Sequence, residues 1–166
     1  DKSGMMHAMD RFNQQAVGIL TSGKFADALD LTKEDPTLLE QYTPRLKLGG
    51  EQFYTAEGPT SARKLLMARR LAERGAGFIT VTTDFVWDMH ADKNNATMTE
   101  GMQYVGRPFD HAVSAFIEDV EARGLRDKIL LVCCGEMGRT PKVNAKAGRD
   151  HWGGSAPLML YGGGLK

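Results

Sequence analysis

The sequence lacks a surplus of either charge: its 166 residues carry 21 Lys and Arg against 21 Asp and Glu. Nucleic acid and anionic membrane surfaces are gripped by basic excess, so neither is expected as a partner, although a local anion pocket stays compatible with the balance. Cysteine is scarce as well, and the two present, Cys133 and Cys134, are neighbours, which excludes a disulfide scaffold. No apolar run approaches the roughly 18 residues of a membrane span, and no charged-then-apolar signal segment opens the chain. There is no Gly-x-Gly-x-x-Gly and no phosphate loop, since Gly23-Lys24 is followed by Phe25. With 42% hydrophobic and 25% charged residues the chain is not of the disordered class.

Glycine is what the sequence has in excess: 19 residues, against about 12 at the usual frequency. Eight of them, at 135, 138, 148, 153, 154, 162, 163 and 164, fall in the last 32 residues, which marks a region of unusual backbone.

Residues 1–59 read as a helical arm and connection. Ser3 is a candidate N-cap, and Met6, Met9, Phe12, Ala16, Ile19 and Leu20 build one apolar stripe up to Ser22-Gly23. A short helix follows over 24–29, and Asp35-Pro36 reads as N-cap plus first-turn proline. The stretch 43–59, rich in proline and glycine, is the expected internal boundary. Beyond it, over 60–166, helix, strand, helix and strand alternate. A helix spans 61–74 and stops at Gly75; Phe78 to Thr83 is β-branched and predicts a strand. Phe109, Val113, Phe116, Ile117 and Val120 mark an amphipathic helix ending at Gly124, followed by a buried strand at 129–134 and another at 157–161. This order predicts an α/β fold: a mostly parallel sheet with helices on both faces.

In such sheets ligands bind beyond the carboxyl ends of the strands. Three polar segments fall there. Asp88 and His90 are two apart, so on an extended backbone both point the same way, toward a shared metal ion or as a carboxylate-oriented imidazole; a turn aspartate beside a surface histidine is the alternative. Glu136, between Gly135 and Gly138, is a candidate metal ligand or base. Arg139 is a candidate clamp for a phosphate or sulfate oxyanion, or else a loop partner of Glu136. Asp150-His151, flanked by Gly148, Gly153 and Gly154, supplies donors suited to zinc or a similar divalent ion. The triple glycine 162–164 is expected to close the last strand at the same edge. His7 and His111 lie on helices and read as surface residues.

The string from Gly135 to Asn144, then Gly148 to Trp152, then Gly162-Gly163-Gly164, together with Trp87-Asp88-Met89-His90, resembles a bacterial family of unknown function, typical of planctomycetes, placed within the alkaline phosphatase and sulfatase superfamily. The arm, from Asp10-Arg11-Phe12 through Leu31 to Pro36, resembles the same proteins. The resemblance implies an alkaline-phosphatase-like hydrolase domain of which 60–166 is the C-terminal portion. The nucleophile and first metal aspartate are expected on an earlier strand, in the remainder of the parent domain. It further implies a divalent metal (zinc, calcium or manganese) held by Asp88, His90, Glu136, Asp150 and His151, with Glu136, Arg139 and His151 in catalytic roles. The substrate would be a small anionic ester or a sulfated or phosphorylated saccharide. Gly135-Glu136 stands where relatives carry Asp-His, which argues against two ions. On this reading the parent protein is exported and the present chain is inactive by itself. The second reading is a non-catalytic binding or assembly protein using the same glycine-rich face.

Overall fold

In the computed structural model the chain is described over residues 4–43, 58–82, 87–92 and 96–165. Ser3, the connection at 44–57, Thr83 and Val86 lie outside these residues. Helix α1 (Met5–Thr21) follows Gly4 in the left-handed region, and Gly23 ends it and starts α2 (Lys24–Leu29). Asp35 caps α3 (Pro36–Gln41) as its sequence requires, accepting hydrogen bonds from the Thr37 and Leu38 N–H groups. Helix α4 (Gly58–Glu73) ends ahead of Gly75 at φ 95. Helix α5 (Met98–Gly101) begins on a capping box of Thr97 and Glu100. It passes through a π-helical turn at Met102–Gly106 into α6 (Arg107–Ala122).

The core forms where α4 lies on α6: Ala62 and Leu66 meet Ala112, Ala115, Phe116 and Val120, and Tyr42, at the end of α3, completes the cluster. Leu31, Leu38 and Leu39 pack on the same cluster, so the arm and the second half share one core.

The sheet is not the parallel one that the alternation predicts. Among the described residues there are two antiparallel pairs: β1 (Leu130–Cys134) with β4 (Leu158–Gly162), and β2 (Gly138–Arg139) with β3 (His151–Trp152). The run between β1 and β4 contains no helix to carry the chain back for a parallel crossover, so β4 returns directly beside β1. The expected strand at 78–82 does not form, and Phe78 is 91% exposed. β-Branched residues favour a pleated surface only when a neighbouring strand is there to pack and pair with. Among the described residues helices cover one face: Leu131 and Tyr161 pack toward α6, whereas Leu130, Val132, Leu158 and Leu160 are exposed, so β1 is half-buried rather than buried. Antiparallel pairing also moves the triple glycine. Leu130 faces Gly162, and the Gly163 N–H donates to Arg126 O and Ile129 O, so the glycines close the sheet at the end opposite Gly135. On α1, Met9, Phe12 and Leu20 are exposed, so the visible part of that stripe covers no surface among the described residues.

A buried ion network fastens the arm to the helices. Arg69, 2% exposed, donates from Nε to Asp119, from Nη1 to Glu73 and from Nη2 to Glu34, at 2.8, 2.7 and 2.8 Å. Arg70 donates to Glu34 and to the carbonyls of Asp27 and Ala28. Tyr42 donates its hydroxyl to Asp119 at 2.9 Å; burial, then the Asp119 charge, pushes that phenol up, so it remains a donor. Burial alone would raise the Glu34 carboxyl, but hydrogen bonds from Arg70 and Arg69 outweigh it and hold it at about 2.

Two predictions follow from this network. Arg69→Met leaves buried carboxylates uncompensated and should lower stability by about 3–5 kcal/mol in urea unfolding; a loss under about 1 kcal/mol would refute the role given to the network. Glu34 binds a proton more weakly folded than at its ordinary 4.5, so its contribution is full above that value and lost as pH falls from about 5 toward 2. Urea midpoints should therefore drop across that window, and Glu34→Gln should flatten the drop.

Candidate metal centre

Residues 87–90 form neither helix nor strand, and their alternate side chains have different surroundings. Trp87 stacks edge-on against Phe109 of α6, with centroids 5.6 Å apart at 88°. Met89 is buried with Val105, close over Gly101, where any side chain would strike its sulfur. With those two anchored on the helix, Asp88 and His90 point the other way.

The third member arrives on β3. In the β2–β3 ribbon Arg139 lies directly opposite His151. The loop between these strands is tied to the 87–90 segment: Arg149 N–H donates to Met89 O at 2.9 Å, and the Asn144 side-chain amide donates to His90 O at 3.2 Å. Gly148 makes this approach feasible, because a Cβ there would run into the His90 carbonyl and Met89 O. The alanines flanking the contact, Ala91 and Ala147, are held at φ 59 and 65, which costs about 1–3 kcal/mol each.

Three ligand atoms consequently converge from segments 61 positions apart. Asp88 Oδ1 is 2.6 Å from His90 Nε2 and 2.9 Å from His151 Nε2, and the two Nε2 atoms are 2.9 Å apart. A carboxylate oxygen and two imidazole nitrogens thus meet at one point, and with both facing nitrogens unprotonated they form a three-donor set. That is the chemistry of a cation site. Four-coordinate zinc holds its ligand atoms about 3.3 Å apart, so the trio needs to open by only about half an ångström. His151 is 51% exposed, which leaves room for a further ligand.

The other predicted residues fall differently. Arg139 pairs with Asp88, not Glu136: Nη2 donates to Asp88 Oδ1 at 3.0 Å, Nε to Trp87 O and Nη1 to Gly138 O. Asp150 stands beside the trio, its Oδ1 accepting from the Asn144 amide at 3.1 Å. Glu136 is exposed at the end of β1, outside the cluster and without a hydrogen bond or ion pair among the described residues. His111 is not a surface residue: its Nε2 is buried, with no partner among the described residues. Burial, then the neighbouring Cys134, pushes the Cys133 thiol up, away from an activated nucleophile. Asn144, Trp87 and Met89 stand within the motifs, and Gly148 flanks Asp150-His151, but motif reading assigned none of them these contacts. The alternation of large apolar with ligating side chains over 87–90 is the signal that could have found the anchors.

Among known proteins, a family model described as "Protein of unknown function (DUF1501)" matches residues 2–166. No curated protein and no solved structure matches the chain.

Neighbouring substitutions at the loop contact should act with opposite sign. Gly148→Ala forces the two segments apart and should cost about 1–3 kcal/mol in thermal unfolding, whereas Ala147→Gly relieves a left-handed alanine and should gain about 0.5–1 kcal/mol. Equal effects at the two positions would contradict the described contact.

Proposed function

The chain belongs to the DUF1501 family, and from the geometry of its site we propose that it holds one divalent ion on Asp88, His90 and His151 and serves a metal-dependent hydrolase of phosphate or sulfate monoesters. The observation that carries the reading is the mutual approach of Asp88 Oδ1, His90 Nε2 and His151 Nε2 within 2.6–2.9 Å. Two imidazoles in a three-donor set favour zinc over calcium, which takes 6–8 oxygens, and over manganese, which prefers carboxylates and water. The ester class is supported by the resemblance of the 87–90 and 135–152 motifs to the alkaline phosphatase and sulfatase superfamily, a relationship that stands here on the site rather than on the sheet.

A divalent ion in such a site supplies Lewis-acid polarisation of an ester oxygen and acidifies bound water. The chain's own residues divide the remaining work. His90 and His151 provide neutral nitrogen donors and Asp88 the charge. Arg139 orients Asp88 through Nη2; a guanidinium has five N–H donors, of which three are engaged, so one on each terminal nitrogen remains for an oxyanion. Glu136 stands outside the donor set, and Asp150 supports the loop beside His151.

Metal-stripped protein should take up one equivalent of zinc in calorimetric titration, and calcium should give no comparable heat. His90→Ala and His151→Ala should each weaken zinc at least 100-fold, while Glu136→Ala leaves it within about threefold. Zinc uptake indifferent to both histidine variants would end the proposal.

A further inference from the structure

The outer face of the β1–β4 sheet has the wrong chemistry for a surface in water. Leu130, Val132 and Cys134 of β1 share it with Leu158 and Leu160 of β4; all five are exposed and none is charged. In the register Val132 lies opposite Leu160 and Cys134 opposite Leu158, so these side chains form one continuous patch. An antiparallel sheet with one face in water alternates apolar with polar side chains, whereas strands apolar on both faces are those covered on both.

Helix α1 has the complementary deficit. Every α1 residue whose burial is described is exposed, among them Met9 at 59%, Phe12 at 70%, Val17 at 57% and Leu20 at 66%. A helix of 17 residues draws most of its stability from a surface beneath its apolar stripe. The base of α1 is seated on α4, because Gly23 joins it to α2 and Arg70 holds the carbonyls of Asp27 and Ala28. From that seat α1 leaves its own chain's sheet bare, since both faces are exposed. The stripe from Met9 to Leu20 runs about 16 Å, and so does a five-residue strand. The two faces therefore match in length as well as in chemistry.

We propose that α1 of one copy covers the β1–β4 face of a second copy, and that the second copy returns the contact, in a twofold homodimer. Four apolar side chains on each face are 47–70% exposed, and each presents about 100 Å². A reciprocal pair would therefore bury about 1,600 Å², the size of a standard stable interface, whereas one helix laid on one sheet would bury half of that. The chain's zero net charge sets no repulsion between copies. A twofold axis closes the pair and leaves neither face over. The assembly is independent of the metal-centre reading.

Sedimentation velocity on the full chain should give a dimer at about 100 μM that dissociates on dilution, as a micromolar Kd requires. Phe12→Glu/Leu20→Glu charges the helix and Leu158→Lys/Leu160→Lys charges the sheet face; each variant should be monomeric at that concentration. Mixed in equal amounts the two should pair again, because one contact then joins two parent faces and the other brings glutamates onto lysines. Phe12→Ala and Leu158→Ala should each weaken association about tenfold, and they decide the matter if a charged variant loses its circular dichroism. Phe78→Lys, 91% exposed and outside both faces, should stay within about twofold of the parent. A parent chain that is monomeric at that concentration, or that forms species larger than a dimer, overturns the proposal. So does a dimer that survives charging of either face alone, which would mean helix-on-helix or sheet-on-sheet pairing, and so does a mixture that stays monomeric.

Discussion

The guanidinium of Arg69 is the point on which the arrangement of the chain depends. Its three nitrogens reach three different parts of the fold: Asp119 on α6, Glu73 on its own helix and Glu34 in the arm. Hydrophobic contact alone would fix these pieces loosely, because the shared core is small and three of its seven members, Ala62, Ala112 and Ala115, are alanines. A planar cation with directional donors sets angle as well as distance. Buried ion pairs are weak evidence for net stability, since desolvation offsets most of the attraction. What Arg69 contributes is uniqueness, because any other seating of the arm would strand a buried charge.

The candidate site follows a different logic, in which few of the decisive contacts are between the ligating groups themselves. Met89 buries against Val105 of the π-helical turn and the half-exposed Trp87 meets Phe109 of α6 edge-on, while Asp88 and His90 meet each other. The β2–β3 pairing aligns Arg139 with His151, and Gly148 lets the loop come within backbone contact of His90. Apolar contacts of the 87–90 segment and a glycine at the facing loop position three polar atoms that would otherwise repel or hydrate.

How much of this was legible follows from which forces are local. The Asp35 cap, the left-handed glycines at 23, 75 and 124, the stripe of α6 and the same-side placement of Asp88 and His90 are set within a few residues, and all appear as the sequence implies. The sheet was not legible. Residues 78–82 and 130–134 have the same β-branched or aliphatic character, yet only the second finds a partner, and strand direction depends on what the chain does between strands. Glu136 was singled out by its glycine neighbours, but flanking freedom does not say where a carboxylate points. The contacts of Asn144 and Gly148 were not legible because they exist only once 89–90 and 147–150 meet.

One continuous element joins the two halves of this account. The helix from Met98 to Ala122 holds the site segment at Val105 and Phe109 and the arm at Asp119, ten residues and about 15 Å further along its axis. A regular helix would keep one stripe turned to one neighbour. The π turn at Met102–Gly106 inserts an extra residue and rotates the following face by about 100°, which turns Val105 toward Met89 while Ala112, Phe116 and Val120 face α4. The less regular hydrogen bonding of that turn is offset by what each face then buries. Because the same rigid rod carries both contacts, the ion network that fixes its far end also limits how far Trp87 and Met89 can shift, and with them the spacing of Asp88 and His90.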